Sequence, residues 1–341
     1  MIPKIAIMRG DGIGPELTES TLKVLDAVED RYGVKLDFVE VEAGDSCLKK
    51  RGVALPEETI SAIKSSDACL KGPVGETAAD VIVKLRLLLE LYANLRPLKS
   101  YPNTPYMRSD IDMLFVRENT EGVYKGLELS IDEDTTVCLR VITRRGSERI
   151  ARYAFEMARK RKKASKVTVI HKSNVMRITD GLFVKVCMEV AKEYPDISVD
   201  QMYVDAAAME LIRSPHLFDV IVTTNMFGDI LSDEAAMTVG GLGMAPGANI
   251  GDKYALFEPV HGSAPNLAGK NVANPSSMIL SSKLMLEWLG RTHTDESYME
   301  AAASIEQALI ETLKANVLTE DLGGTVKTSE FGEAVAKRIY G

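Results

Sequence analysis

Cysteine is scarce and scattered: Cys47, Cys69, Cys138 and Cys187 are the four in 341 residues, and they form no CxxC pair and no zinc-ligand spacing. That sets aside a disulfide scaffold and a zinc module and leaves reduced, mostly buried thiols as the expectation. Long apolar runs are also missing, with nothing approaching the ~20 residues that cross a bilayer, so no membrane partner is expected. The first residues lack the basic, apolar and small-residue regions of a signal peptide. Positive charge is in deficit: 41 Lys and Arg against 49 Asp and Glu give a formal net charge of -8. Such a chain offers no general field for nucleic acid. Internal repeats and low-complexity tracts are absent. Together these absences point to a cytoplasmic globular protein, and the length favours two domains.

What is present is an alternation of strand and helix patterns. "KIAIM" reads as a strand, and residues 15–31 repeat apolar positions at helical spacing. "LDFVEVEAG" predicts a second strand, "PEETISAIKSS" a helix and "DACLKGPVG" a third strand. "DVIVKLRLLLELYANLRP" predicts one long helix that stops near Pro97. This alternation predicts a layered α/β architecture with a largely parallel sheet. "SYPNTPY" reads as a loop and a crossing between domains, followed by strand and turn in "IDMLFVRENTEG". "GSERIARYAFEMARKRK" predicts a helix with a basic end that suits its dipole. "KVTVIHKSNVM" predicts a strand entering a polar loop, and "FDVIVTTNMFGDILSDEAAMTVGGLG" a strand, a helix and a glycine-rich stop. The stretch from Pro246 to Ser277 is dense in Gly, Pro and Asn and reads as a long functional loop, with two helical segments after it.

Several residues carry chemistry. Asp229 and Asp233 lie four apart in a predicted helix, so both carboxylates share one face. Their oxygens suit Mg²⁺ or Mn²⁺, although such a pair taken alone more often marks a solvated surface. Arg86 sits among leucines, Arg96 follows ten residues later, and Arg117 closes a strand. A guanidinium fork holds carboxylates bidentately, and it equally forms structural salt bridges. Tyr124 and Lys172 each follow a β-like segment. One can donate a proton and the other can accept one beside a metal, though each alone is an ordinary packing or surface residue. His261 stands in a Gly/Ser/Pro loop that lets backbone approach a flat ligand.

In combination these segments are specific. With "GDGIGPE", "LRLLLELYANLRP", "VRENTEGVYKG", "HKSNVM", "NMFGDILSDEAA" and "EPVHGSAPNLAGKNVANP", the sequence resembles, end to end, the β-decarboxylating dehydrogenases. That family comprises the isocitrate, 3-isopropylmalate and homoisocitrate dehydrogenases. The resemblance implies an α/β, two-domain layered fold that is not a Rossmann fold. It places residues 1–99 with 244–341 in a first domain carrying the cofactor loops, and residues 100–243 in a second domain carrying the dimer interface. It implies a homodimer with active sites shared between subunits.

Roles follow by position. Arg86, Arg96 and Arg117 match the arginines that hold the substrate carboxylates. Asp229 and Asp233 match metal ligands of one subunit, with Asp205 as the ligand from its partner. Tyr124 matches the proton donor and Lys172, from the partner, the base or relay at the substrate hydroxyl. Thr77, Asn225, Glu258, His261, Gly262, Ser263, Ala264, Asn266 and Asn274 match positions at the nicotinamide cofactor. The complete set argues against a non-catalytic regulatory subunit, the reading from another class.

Side-group selectivity in this family sits at the start of the helix bearing Arg86. Isocitrate enzymes place a serine and an asparagine where this chain has Asp80 and Ile82, with Val83 next. The two apolar side chains suit an isopropyl group, whose burial is worth ~0.8 kcal/mol per CH₂-sized unit. The expected substrate is therefore 3-isopropylmalate, small-molecule chemistry of leucine biosynthesis. "GETAADVIVKLR" also looks like archaeal isopropylmalate enzymes, some of which take methylmalate. "LKGPVG" and "APGANIG" look like NAD-type isocitrate dehydrogenases, so isocitrate and homoisocitrate stay as alternatives. NAD is the expected cofactor. Asn266 stands where NAD enzymes usually carry an acid that repels a 2′-phosphate, so NADP is left open.

One tempting motif is set aside. "MRGDGIGPE" after the first strand invites a dinucleotide-fold reading, but its spacing is G-x-G-x-G, not G-x-G-x-x-G. The resemblance moves the adenosine site about 250 residues downstream and makes these glycines a tight turn at the cleft.

Overall fold

The computed structural model describes residues 2–78 and 80–340. Strand β1 (Lys4–Met8) leads through the glycine turn into α1 (Gly14–Tyr32), with Pro15 in its first turn and Gly33 closing it in the left-handed conformation, φ 69°. Gly12 has φ +59°, and a Cβ there would lie 2.0 Å from the Ser263 carbonyl oxygen. The opening turn thus packs backbone to backbone on the distant Gly/Ser loop, and the Ile13 amide donates to that same oxygen at 2.9 Å. Then come β2 (Asp37–Val41), α2 (Asp45–Arg51), α3 (Glu57–Lys64) and β3 (Ala68–Lys71).

The stretch expected as one helix up to Pro97 divides in two. Helix α4 (Asp80–Leu88) ends at a turn in which Glu90 takes φ 49°, and strand β4 (Ala93–Lys99) follows. Local periodicity favours helix throughout. The strand wins because β4 is paired on both edges, with β5 (Asp112–Glu118) and with β11 (Pro246–Ile250).

The chain continues through a hairpin of β6 (Glu128–Ser130) and β7 (Thr136–Cys138) into α5 (Arg144–Arg161). The Thr143 side chain caps α5 by accepting from the Gly146 amide at 3.0 Å. After it come β8 (Lys166–His171), α6 (Thr179–Ala191), β9 (Ser198–Tyr203), α7 (Val204–Arg213), β10 (Val220–Thr223) and α8 (Asn225–Met237). The long stretch read as irregular then proves to hold an antiparallel pair, β11 and β12 (Ala255–Pro259), buried at every position. Three helices follow where two were expected: α9 (Ser276–His293), α10 (Glu296–Lys314) and α11 (Thr328–Tyr340). The third buries Phe331, Val335 and Ile339, a stripe at i, i+4, i+8 that packs on α1. Phe331 is 0% exposed, and truncating such a residue to alanine costs about 3–5 kcal/mol.

Ten strands form one sheet in the order β2-β1-β3-β12-β11-β4-β5-β10-β8-β9. Its flanks are parallel, as the alternation implied. Its centre is not: β12–β11, β11–β4 and β4–β5 are antiparallel. Residues before 100 and after 243 supply the strands from β2 to β4, and the intervening residues supply β5 to β9, so the two groups meet along β4–β5. Because side chains alternate across a strand, Asn94 and Arg96 of β4 share a face with Asn249 of β11 and Glu258 of β12. Leu95, Pro97 and Lys99 point to the other face, against α5 and α9. Among the described residues no helix is long and apolar enough to cross a membrane.

Candidate active site

Two arginines converge on helix α8, and a third, Arg86, lies beside them on β11 and β12. Arg117, at the end of β5, is 1% exposed and lies across α8 where Gly228 leaves room: a Cβ at Gly228 would sit 2.6 Å from its Cγ. Its Nη1 donates to Asp229 Oδ1 at 2.5 Å, and its Nε and Nη2 donate to Asn225 Oδ1 at 3.1 and 2.7 Å. Arg96 on β4 spans both acids, with Nη1 to Asp233 Oδ1 at 2.7 Å and Nη2 to Asp229 Oδ1 at 3.1 Å. Arg86 on α4 reaches Asn249 Oδ1 at 3.0 Å and Glu258 Oε1 at 3.3 Å. Tyr124, in a 3-10 turn at Val123–Lys125, donates to Asp229 Oδ2 at 2.5 Å beneath the Arg117 guanidinium, 5.3 Å from its ring.

Electrostatics follow from this crowding. Burial and the positive charges of Arg96 and Arg86 push Arg117 down to about 9, so it stays cationic at neutral pH. Arg86 is lowered by burial as well. Burial disfavours an anionic Asp229, but Arg117 and Arg96 outweigh it and hold the carboxyl below its usual range. Asp233 moves the other way, raised by burial and by the charge of Asp229 beyond what Arg96 offsets. The Tyr124 hydroxyl is raised by burial and by its bond to Asp229, which keeps its proton in place. The site thus brings three buried guanidinium groups together with two carboxylates one helical turn apart, and guanidinium forks of this kind suit carboxylate partners.

A second buried cluster adjoins it and was not visible in the sequence. Lys71, 2% exposed at the end of β3, pairs with Glu258 Oε2 at 2.8 Å. Lys71 and Arg86 hold Glu258 well below the usual carboxylate range although burial opposes its charge. Asn249 donates to Glu258 Oε1 at 2.8 Å. Both oxygens of Glu258 are thus occupied by this chain's own groups. A lysine ending the apolar run "ACLK" was the available signal, since a buried ammonium needs an acid.

Lys172 and Asp205 lie elsewhere. They are ion-paired to one another, Lys172 just after β8 and Asp205 in the first turn of α7, and neither touches Asp229 or Asp233. The Lys172 amide is held by fully buried Asp180 at 2.6 Å, and Asp180 in turn pairs with Arg140, which also donates to Thr224 at the start of α8. Among the described residues of the single chain no three His, Cys, Asp or Glu side chains gather into a metal-binding group. Asp229 and Asp233 place carboxylate oxygens one turn apart; those of Asp229 are taken by Arg96, Arg117 and Tyr124, while Asp233 Oδ2 accepts no hydrogen bond among the described residues. Hard oxygen donors of this kind suit a divalent cation such as Mg²⁺ or Mn²⁺.

The expected cofactor residues divide. His261, Gly262 and Ala264 line two adjoining cavities, of about 390 and 590 Å³. The first also holds Arg86, Arg96, Glu258, Ser263 and Ile82; the second holds Asn274 with Ile13 and Asp321. Ile13 and Asp321 were not expected; Asp321 fixes the Asn274 amide at 3.0 Å. His261 Nε2 is buried without a partner, and burial lowers the ring's pKa, so a neutral imidazole faces a space that a hydrogen-bonding ligand fits. Asn225 departs from expectation: its amide is spent on Arg117 and on the Glu121 carbonyl at 3.3 Å, and it lines neither cavity. Thr77 and Asn266 are exposed, outside both linings. Of the two apolar selectivity positions, Ile82 lines the first cavity beside Val74, while Val83 does not.

The family model described as isocitrate/isopropylmalate dehydrogenase matches residues 4–335. A 3-isopropylmalate/3-methylmalate dehydrogenase of Methanocaldococcus jannaschii is 54% identical over 339 residues, 98% of each chain. A 3-isopropylmalate dehydrogenase of Saccharolobus solfataricus is 48% identical over 335 residues, again 98% of each. The crystal structure of isocitrate dehydrogenase from Methylococcus capsulatus superposes with a TM-score of 0.93 at 42% identity, covering 99% of this chain and 100% of that one. With the arginine and aspartate cluster in place, these likenesses settle that the chain belongs to the isocitrate/isopropylmalate dehydrogenase family and is a decarboxylating dehydrogenase.

Proposed function

We propose that the protein oxidises 3-isopropylmalate with NAD and releases carbon dioxide, giving 2-oxoisocaproate. The observation that carries this is a cavity whose wall holds Arg86 and Arg96 together with Ile82 and Val74, with Arg117 buried next to it on Asp229, which Arg96 also holds. Two carboxylates find guanidinium forks there, and the remaining substituent meets apolar surface. Asp80, exposed at the head of the same helix, disfavours a third carboxylate. Relatives named for 3-isopropylmalate are in keeping with this reading.

The chain's own groups divide the work. Arg86, Arg96 and Arg117 bind and orient the two carboxylates. Asp229 and Asp233, with Asp205 from a second copy, would hold a Mg²⁺ or Mn²⁺ ion, which when bound supplies Lewis acidity at the 2-hydroxyl and its neighbouring carboxylate. The loop from His261 to Asn274 would hold NAD, the hydride acceptor. Lys172 of the second copy takes the hydroxyl proton. Tyr124, whose raised pKa keeps it protonated, returns a proton to the carbon that carbon dioxide leaves. This division requires a homodimer. Unpaired Cys47, Cys69 and Cys187, all buried, suit a reducing cytoplasm.

Steady-state rates on 3-isopropylmalate, 3-methylmalate, isocitrate and homoisocitrate, each with NAD and NADP and with EDTA controls, test the reading. The expected outcome is the highest kcat/KM on 3-isopropylmalate with NAD, abolished by chelation and restored by Mg²⁺ or Mn²⁺. A wide margin in favour of isocitrate would overturn the substrate.

A further inference from the structure

Two buried asparagines join the substrate arginines. Asn94 of β4 and Asn249 of β11 are direct cross-strand partners, 2% and 0% exposed. Arg96 Nε donates to Asn94 Oδ1 at 2.9 Å, Asn94 Nδ2 donates to Asn249 Oδ1 at 2.9 Å, and Asn249 Nδ2 donates to Glu258 Oε1 at 2.8 Å. Arg86 Nε joins at Asn249 Oδ1, 3.0 Å, where Asn119 Nδ2 also arrives at 2.9 Å. The row runs from a cation at one end to an anion at the other. Every amide must therefore turn its oxygen toward the arginines and its NH₂ toward Glu258, so neither can flip without stranding a buried group.

We propose that Asn94 and Asn249 are positioning residues that set the separation of Arg86 and Arg96 to that of two substrate carboxylates, using neutral links that add no negative charge at the Nε edges. The proposal rests on the dicarboxylate reading above. A carboxamide suits this role. It accepts from one arginine while donating onward, which a carboxylate cannot, and it does not neutralise the guanidinium as a carboxylate would. The Nε edges are anchored by the asparagines. The Nη groups of Arg96 are held by Asp229, Ser232 and Asp233, so Asn94 at Nε fixes the remaining edge and with it the orientation of the guanidinium.

The test compares Asn94→Asp, Asn249→Asp and Asn94→Ala with Arg96→Lys in the full-length enzyme, following both KM values, kcat and thermal unfolding. The two Asp variants keep the acceptor, lose the donor and add a charge. The expectation is that KM for the hydroxy acid rises about tenfold or more while kcat stays within about threefold and KM for NAD is unchanged. Asn94 lines the open cavity, so water can replace its lost bonds in Asn94→Ala. That variant carries the test if Asn249→Asp does not fold. Folded Asn94 variants with wild-type KM for the hydroxy acid, or with losses confined to kcat, overturn the proposal. If Arg96→Lys itself leaves that KM unchanged, it is the dicarboxylate reading that fails, and the proposal with it.

Discussion

Tyr124 donates its hydroxyl to Asp229 Oδ2 at 2.5 Å, and Asp229 Oδ1 is held by Arg96 and Arg117. The Tyr124 hydroxyl, proposed above as the proton donor, and the Asp229 carboxylate are thus a single hydrogen-bonded unit. Removing the hydroxyl in Tyr124→Phe deletes the proton donor and leaves the arginine contacts intact. The expected result is a fall in kcat of about a hundredfold or more, with KM for the hydroxy acid within about threefold. Steady-state kinetics read this directly, and a near wild-type kcat would remove Tyr124 from the chemistry.

Separation of the Lys172–Asp205 pair from Asp229 predicts complementation between defective chains. Lys172→Met and Asp229→Asn should each be nearly inactive. Unfolded together and refolded, half the dimers are mixed, and each mixed dimer has one intact site, so about a quarter of wild-type activity should return. Each variant refolded alone supplies the control. No recovery from the mixture would mean that each site is built within one chain.

On the far face of the sheet, Glu306 accepts from Lys99 at 2.7 Å and pairs with Lys283 at 3.2 Å. Burial opposes its charge, yet the two lysines push the carboxyl down to about 2. A carboxyl depressed in the folded state stabilises it above the ordinary value of 4.5 and loses that contribution as pH falls toward 2. Glu306→Gln should therefore cost about 2 kcal/mol at pH 7 and progressively less near pH 3. Urea unfolding at the two pH values measures the difference, and an equal loss at both would contradict the pairing.

Asn266 is exposed on the 3-10 turn of the cofactor loop, Pro265–Leu267. A carboxylate there repels a 2′-phosphate while still accepting from ribose hydroxyls. Asn266→Asp should raise the NAD over NADP ratio of kcat/KM about tenfold, chiefly through KM for NADP. An unchanged ratio would place Asn266 away from the ribose.

The cluster of arginines and aspartates was legible only through the combination of motifs: singly, an arginine among leucines reads as a salt bridge and two aspartates one turn apart read as a solvated surface. The fold around them was less so. In "RLLLELYANLRP" the apolar spacing suits a helix throughout, and nothing local announces the turn at Glu90. The strand there exists because β5 and β11 flank it. The β11–β12 pair is hidden for a related reason. Strands at the sheet's centre, buried on both faces, need small residues rather than alternation, so "PGANI" reads as loop. Asn94 and Asn249 were invisible because a neutral amide in a strand declares no partner, and Asn225 looked free to bind cofactor until Arg117 was seen to occupy it.

The gathering of Arg86, Arg96 and Arg117 has a consequence for the life of the protein. Burial and mutual repulsion hold Arg86 and Arg117 below the usual arginine range when no substrate neutralises them. A dianion that seats among them relieves that repulsion, and it does so only in the folded chain, so its binding opposes unfolding. Under the proposed function, unfolding would be tied to supply: a cell short of the hydroxy acid would hold this protein in a less stable form, more open to proteases. The crowding that would recognise the substrate would then also let the substrate pool set how long the enzyme lasts.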